Sequence, residues 1–268
     1  MAGAVAEIGV IGGSGLYAFL DDATEVAVET PYGPPSDPLV VGAISGRRVA
    51  FVPRHGRDHR FPPHRIPYRA NLWALRSLGV QQVLAPCAVG SLTSSLPAGS
   101  LVVPDQLVDR TYRRDQTFHE QGAVHVSFAD PYCPRGRGVA VRAATAARWP
   151  VTDGGTMVVV EGPRFSTRAE SQWFAEQRWT VVNMTGHPEA VLARELALCY
   201  TAIALVTDLD AGVEGGEAVT QEEVFRVFAA STARLRALLY DVVAALPQDP
   251  DCSCRRALDG IDVQLVLP

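Results

Sequence analysis

The chain has 268 residues, 47% apolar and 20% charged, which suffices for one large buried core and makes a single α/β domain the simplest organisation. A net charge of -5 offers no broad positive field for a nucleic-acid backbone or an anionic membrane surface, so any anion site must be local. The first twenty residues lack a basic start, an apolar stretch and a cleavage site, and no run of about 18 apolar residues occurs, so a cytoplasmic protein is predicted.

In chain order, Glu7 to Ile11 reads as a short buried strand, because an apolar run ends abruptly at Gly12-Gly13-Ser14-Gly15. A strand feeding such a turn lets backbone N–H groups approach an anion, with the Ser14 hydroxyl as a further donor. A plain tight turn would use the same residues. Ala18 occupies the last glycine position of G-x-G-x-x-G, and the P-loop lysine is missing. Apolar, β-branched or alternating runs at 38–44, 48–53, 81–85, 100–103, 156–160, 180–183 and 199–206 predict further strands.

Helical spacing predicts a helix over 64–78, closed by Gly79, and others over 136–148, 167–178 and 187–196. Thr220 with Glu223 forms a capping-box pattern that opens a long amphipathic helix to about Leu246, where Pro247 stops it. Strands alternating with helices predict a single-domain, three-layer α/β fold around a mainly parallel sheet, with a core over about 7–246 and a tail over 247–268. The stretches 31–38 and 54–69 read as loops, where sites tend to sit.

Four segments could carry chemistry. Arg54-His55-Gly56 follows a strand directly, so a guanidinium fork and an imidazole could meet one phosphate. Their neighbours Arg57, His59, Arg60, His64 and Arg65 read mostly as solvated surface. Cys87-Ala88-Val89-Gly90-Ser91 would let the backbone run close to a ligand, with Cys87 a buried thiol rather than a nucleophile. Asn183-Met184-Thr185-Gly186 joins a strand to a helix and offers a hydroxyl beside a soft apolar wall. Thr207-Asp208-Leu209-Asp210 places two carboxylates at alternate positions of a strand end, as a cap or a site would require.

Five cysteines are too few for a disulfide scaffold, and Cys133 and Cys199 read as reduced thiols packed in apolar runs. Cys252-x-Cys254 in the polar tail could be a strained disulfide, half a metal site or neither. No second cysteine or histidine cluster lies nearby in sequence, so no metal is expected and the reduced form is the default.

Taken in order, Ile11-Gly12-Gly13-Ser14-Gly15, Arg54-His55-Gly56, Asn71-Leu72-Trp73-Ala74-Leu75, Glu161-Gly162-Pro163-Arg164-Phe165-Ser166, Asn183-Met184-Thr185 and Thr207-Asp208-x-Asp210 resemble the methylthioadenosine phosphorylases over residues 7 to 246. This is the trimeric branch of the purine nucleoside phosphorylases. The resemblance implies a sheet partly closed into a barrel, a homotrimer or dimer of trimers, and no cofactor, with inorganic phosphate as co-substrate. It implies a phosphate site of Ser14, Arg54, His55, position 87, the backbone at Ala88, and Thr185. Cys87 departs from the threonine of the animal enzymes and offers only a weak S–H donor. By the same resemblance Phe165 stacks on the purine, Met184 backs the ribose, Asn183 belongs to the substrate site, His125 reaches the 5' side of a neighbouring subunit's site, and Gln221 stands where the animal enzymes place an apolar residue.

The predicted reaction is phosphorolysis of 5'-methylthioadenosine to adenine and 5-methylthioribose 1-phosphate. A protonated Asp208 beside Asp210 would donate to purine N7 while its carbonyl oxygen accepts from the exocyclic amine. Relatives specific for 6-oxopurines place asparagine at position 208 and glutamate at position 166, where this chain has Ser166. The alternatives are another purine nucleoside as substrate (methylthioinosine, adenosine or a 5'-halogenated deoxyadenosine), a non-catalytic nucleoside-binding protein, and a dinucleotide-dependent oxidoreductase, which the incomplete glycine pattern disfavours.

Overall fold

The structure is a computed structural model that describes residues 5–13, 20–213, 218–249 and 251–262. Its elements follow as β1 (Ile8–Gly12), β2 (Asp21–Val26), β3 (Leu39–Ile44), β4 (Arg47–Pro53), α1 (Tyr68–Ser77), β5 (Gln82–Ser91), β6 (Leu101–Val103), β7 (Gln106–Arg110), α2 (Pro134–Ala146), β8 (Val151–Asp153), β9 (Thr156–Val160), α3 (Arg168–Glu176), β10 (Val181–Asn183), α4 (Gly186–Glu195), β11 (Cys199–Leu209) and α5 (Gln221–Ala245). The strands join one sheet in the order β2-β3-β4-β1-β5-β10-β9-β7, and β11, β6 and β8 branch from it. Six of the ten pairings are parallel, so the sheet is mixed and mainly parallel as expected. Barrel closure is not found: among the described residues β2 and β7 do not pair, and the sheet stays open.

Alternation along the strands sends side chains into two apolar layers. Ile8 and Val10 of β1 join Ile203 and Leu205 of β11 against Val139 and Ala140 of α2 and Leu235, Leu239 and Val242 of α5. On the other face Ile11, Ala202, Ala204 and Val206 meet Leu72 and Leu75 of α1 and Ala190 and Ala193 of α4. Each such Leu or Ile contributes about 1.5–3 kcal/mol by leaving water, so the two layers hold the sheet from both sides.

Two helices differ from expectation for local reasons. The helix predicted over 64–78 is divided: Pro63–Arg65 forms a 3-10 turn and α1 begins only at Tyr68. Pro67 disfavours helical backbone at the residue before it, and Ile66 is extended at ψ 132. At α5 the Thr220 hydroxyl accepts from the Glu223 N–H at 3.3 Å, and the helix ends before Leu246 and Pro247 as predicted. A reciprocal capping box forms instead at α3, between Thr167 and Glu170.

Candidate active site

The site lies where β5 changes neighbours. Along one edge Gln82 to Leu84 pair with β1 and Gly90 and Ser91 pair with β10, so Ala85 to Val89 face no strand there, while β11 follows the other edge throughout. Side chains take up the carbonyls of this gap: Arg54 Nη1 donates to Pro86 O at 3.0 Å, and Asn183 Nδ2 donates to Ala88 O at 3.0 Å. A sheet that splits beyond its strand ends leaves a crevice, the common ligand position in α/β folds. Here it is a cavity of about 460 Å³ that brings together Arg54, His55, Cys87, Ala88, Phe165, Asn183, Met184, Thr185, Asp208 and Asp210. Ser14 lies outside the described residues, although Gly13 lines the cavity. His125 is exposed and is not among the residues lining its own chain's cavity.

Part of the lining suits an anion. Burial works against the charge of Arg54, but the Glu189 carboxylate holds its pKa above the ordinary value, so the guanidinium stays cationic. The His55 imidazole is different, because burial pushes it down to about 4 and leaves it neutral near pH 7. Its Nδ1 lies 2.9 Å from Phe61 O, which can only accept, so Nδ1 carries the hydrogen and Nε2 is an acceptor. Cys87 is also uncharged, its thiol pushed up to about 12 by burial, consistent with a packed thiol.

Asn183 has a positioning task. Its Oδ1 accepts from Thr185 N and Gly186 N, both at 2.7 Å, and so fixes the turn into α4 that presents Thr185. Gly162, at φ 64, passes so close to Met184 that a Cβ there would sit 2.7 Å from its Sδ. The Glu161-Gly162-Pro163 loop thereby sets both Met184 and the following Phe165.

The same cavity holds the two carboxyl groups. The β11–β5 register shifts between Val206 and Asp208, a bulge that turns Asp208 toward the cavity opposite Gly90. Burial raises the Asp208 pKa to about 6; the Thr207 hydroxyl, donating at 2.7 Å, opposes this, while Asp210 and Glu223 add to it. Burial also raises Asp210, whose Oδ2 accepts from Ser171 Oγ at 2.5 Å. A carboxyl that exchanges its proton near neutral pH can serve as a general acid.

Several lining or supporting residues carry no sequence signal of their own. Glu189 is 1% exposed and pairs with Arg54 through Nε–Oε1 at 2.6 Å and Nη2–Oε2 at 3.1 Å. His59 is exposed, as expected, and it also lines the cavity and stacks on His55 with centroids 4.6 Å apart. Phe61, Val224, Phe225 and Phe228 add an apolar wall from the 54–67 loop and α5, beside Gln221. Away from the cavity, Cys133 and Cys199 do not simply pack in apolar surroundings: they meet Cys252 and Cys254, bringing together the thiols that sequence distance separates.

Residues 7–244 match the phosphorylase superfamily. A purine nucleoside phosphorylase of Streptomyces coelicolor is 62% identical over 274 residues, covering 98% of each chain. An S-methyl-5'-thioadenosine phosphorylase of Mycolicibacterium smegmatis is 57% identical over 262 residues, covering 97% of this chain and 99% of its own. A solved methylthioadenosine phosphorylase sourced from an antarctic soil metagenomic library superposes with a TM-score of 0.90 at 40% identity, covering 96% of this chain and 92% of that one.

Proposed function

Because the chain belongs to the phosphorylase superfamily, we propose that it uses inorganic phosphate to split 5'-methylthioadenosine into adenine and 5-methylthioribose 1-phosphate. The observation that carries this reading is a carboxyl group titrating at about 6, Asp208, in the same cavity as Arg54, the neutral His55 and Thr185.

In this reading the charge of Arg54 and the Thr185 hydroxyl hold phosphate below the ribose, and His55 Nε2 accepts its P–OH hydrogen. A phosphate oxygen bonds to ribose C1' as the C1'–N9 bond breaks, and the bonding pair moves into the purine. Asp208 delivers its proton to N7 and becomes a carboxylate, so adenine leaves neutral. Negative phosphate oxygens beneath the sugar stabilise its developing positive charge. Phe165 covers the base, Met184 backs the ribose, and the α5 wall of Val224, Phe225 and Phe228 accepts the apolar methylthio group.

The test is adenine release from methylthioadenosine with and without phosphate. Adenine and pentose 1-phosphate in equal amounts, only when phosphate is present, are expected; phosphate-independent release or none overturns the reading. The second reading, another purine nucleoside, is favoured by the 62% identical relative, which is named a purine nucleoside phosphorylase. Comparing kcat/KM for methylthioadenosine, adenosine, methylthioinosine and inosine separates the two. The working unit is a homotrimer, or a dimer of trimers, in which the exposed His125 reaches the 5' side of a neighbour's site. No helix among the described residues is long and apolar enough to cross a membrane, and salvage of such a nucleoside belongs in the cytoplasm.

A further inference from the structure

We propose that Cys133, Cys199, Cys252 and Cys254 form a tetrathiolate site for one zinc-type cation that fastens the C-terminal tail to the core. The four sulfurs lie within 4.8 Å of one another, with Cys199 to Cys252 at 3.1 Å and Cys133 to Cys252 at 4.0 Å. A tetrahedral zinc bound at about 2.3 Å by each sulfur requires sulfur–sulfur edges of roughly 3.8 Å, so small side-chain adjustments complete the geometry. None of the four is in a disulfide, and their exposures are 1%, 2%, 6% and 1%.

The ligands come from three distant parts of the chain. Cys133 stands at the N-cap of α2, Cys199 begins the core strand β11, and the other two belong to the tail. Cys252 is extended, at φ -149 and ψ 164, and the 3-10 turn Ser253–Arg256 then bends the backbone so that both tail sulfurs reach one point. Surrounding donors suit an anionic metal–sulfur centre. The N-terminus of α2 begins at Cys133, and Arg194 Nη2 lies 3.9 Å from Cys254 Sγ. The tail has little else to bury: among its described residues from Pro247 to Asp262, only Cys252 and Cys254 are buried. Four thiols withdrawn from water to anchor a polar segment are explained by a shared cation, which binds soft sulfur ligands and releases their protons.

The test uses the full chain, expressed with added zinc and purified without chelator. Elemental analysis is expected to give about one zinc per chain, and the Cys252→Ser, Cys254→Ser pair to reduce this to below about a tenth. Since that variant could lose its tail docking altogether, the unaltered protein is also exchanged with Co(II) and its thiols are alkylated. The intense visible absorption of tetrahedral cobalt–thiolate, and four of the five thiols reacting in denaturant only once chelator is added, support the site. Metal-free protein with no cobalt spectrum, or an intact mass four hydrogens short from two disulfides, overturns it.

Discussion

The Glu189 carboxylate lies along the edge of the Arg54 fork, Oε1 2.6 Å from Nε and Oε2 3.1 Å from Nη2, and Tyr200 donates a further bond to Oε2 at 2.8 Å. With Pro86 O and Ile11 O also bonded, four of the five Arg54 N–H groups are engaged, leaving one for a ligand. Arg54 is thus a fixed positive charge held by its neighbours rather than a free bidentate clamp.

The Glu189→Gln variant removes that anchor. The KM for phosphate is expected to rise roughly tenfold, the scale of one charge-assisted hydrogen bond, with the KM for the nucleoside little changed. Breaking a buried pair is also expected to lower the unfolding free energy by about 3 kcal/mol in urea titrations. An unchanged phosphate KM would show that Glu189 serves stability alone.

Protonation of Asp208 should set the alkaline limb of activity. In the free enzyme its carboxyl titrates at about 6, so kcat/KM for the nucleoside is expected to fall about tenfold per pH unit above that value. Thr207 Oγ1 favours the ionised form by donating at 2.7 Å, so Thr207→Val should move this limb toward higher pH. Asp208→Asn should lose about 10² in kcat and flatten the limb. A limb that stays in place in Asp208→Asn belongs to another group.

Stability should respond to the same groups with opposite signs. The folded pKa of Asp208, about 6, exceeds its ordinary 3.8, so its contribution is fully present below pH 3.8 and is lost as pH rises through 6. His55 is depressed from 6.5 to about 4, so its contribution is present above pH 6.5 and is lost as pH falls toward 4. Above pH 6 the ionised Asp208 is a buried strain that Asp208→Asn relieves, and that slower variant is expected to be more stable by about 1–2 kcal/mol at pH 8. Chemical denaturation at pH 5 and pH 8 checks this: the gain should shrink at pH 5, and an equal gain at both would exclude the titration as its source.

Burial explains which parts of the molecule the sequence makes legible. Elements that bury an apolar face, such as β1 with Ile8 and Val10 or α5 with Leu235 and Leu239, announce themselves by periodicity. β2, with its acidic run, and the partly exposed β7 and β8 bury too little to stand out from loops. β5 continues past Pro86 to Ser91 because β11 supplies partners along its full length, which local propensity cannot register. Arg54 and His55 are readable because they directly follow β4, and Asp208 because it closes the long apolar run of β11. Glu189 and Ser171 look like ordinary polar helix positions, and their value comes only from what the fold sets opposite them. Cys133 and Cys199 are likewise separated from the C-x-C pair by distance along the chain and reunited by packing.

Gly90 offers a test of how closely the site depends on backbone clearance. It pairs across from Asp208, and a Cβ there would fall 2.9 Å from Asp208 Oδ1 and 3.1 Å from Val182 Cγ1. Neither neighbour can retreat freely, since Thr207 bonds the carboxyl and Val182 belongs to the small apolar cluster with Val158 and Phe174. Gly90→Ala therefore has to displace the acid from its position, and a misplacement of about 1 Å can cost about 10² in rate. The expected result is a fall in kcat of that order, with phosphate KM little affected because Arg54 meets β5 at Pro86, four residues before Gly90. A Gly90→Ala enzyme of normal kcat would mean that Asp208 can move without penalty, and with it the assignment of a rigidly held acid would fail.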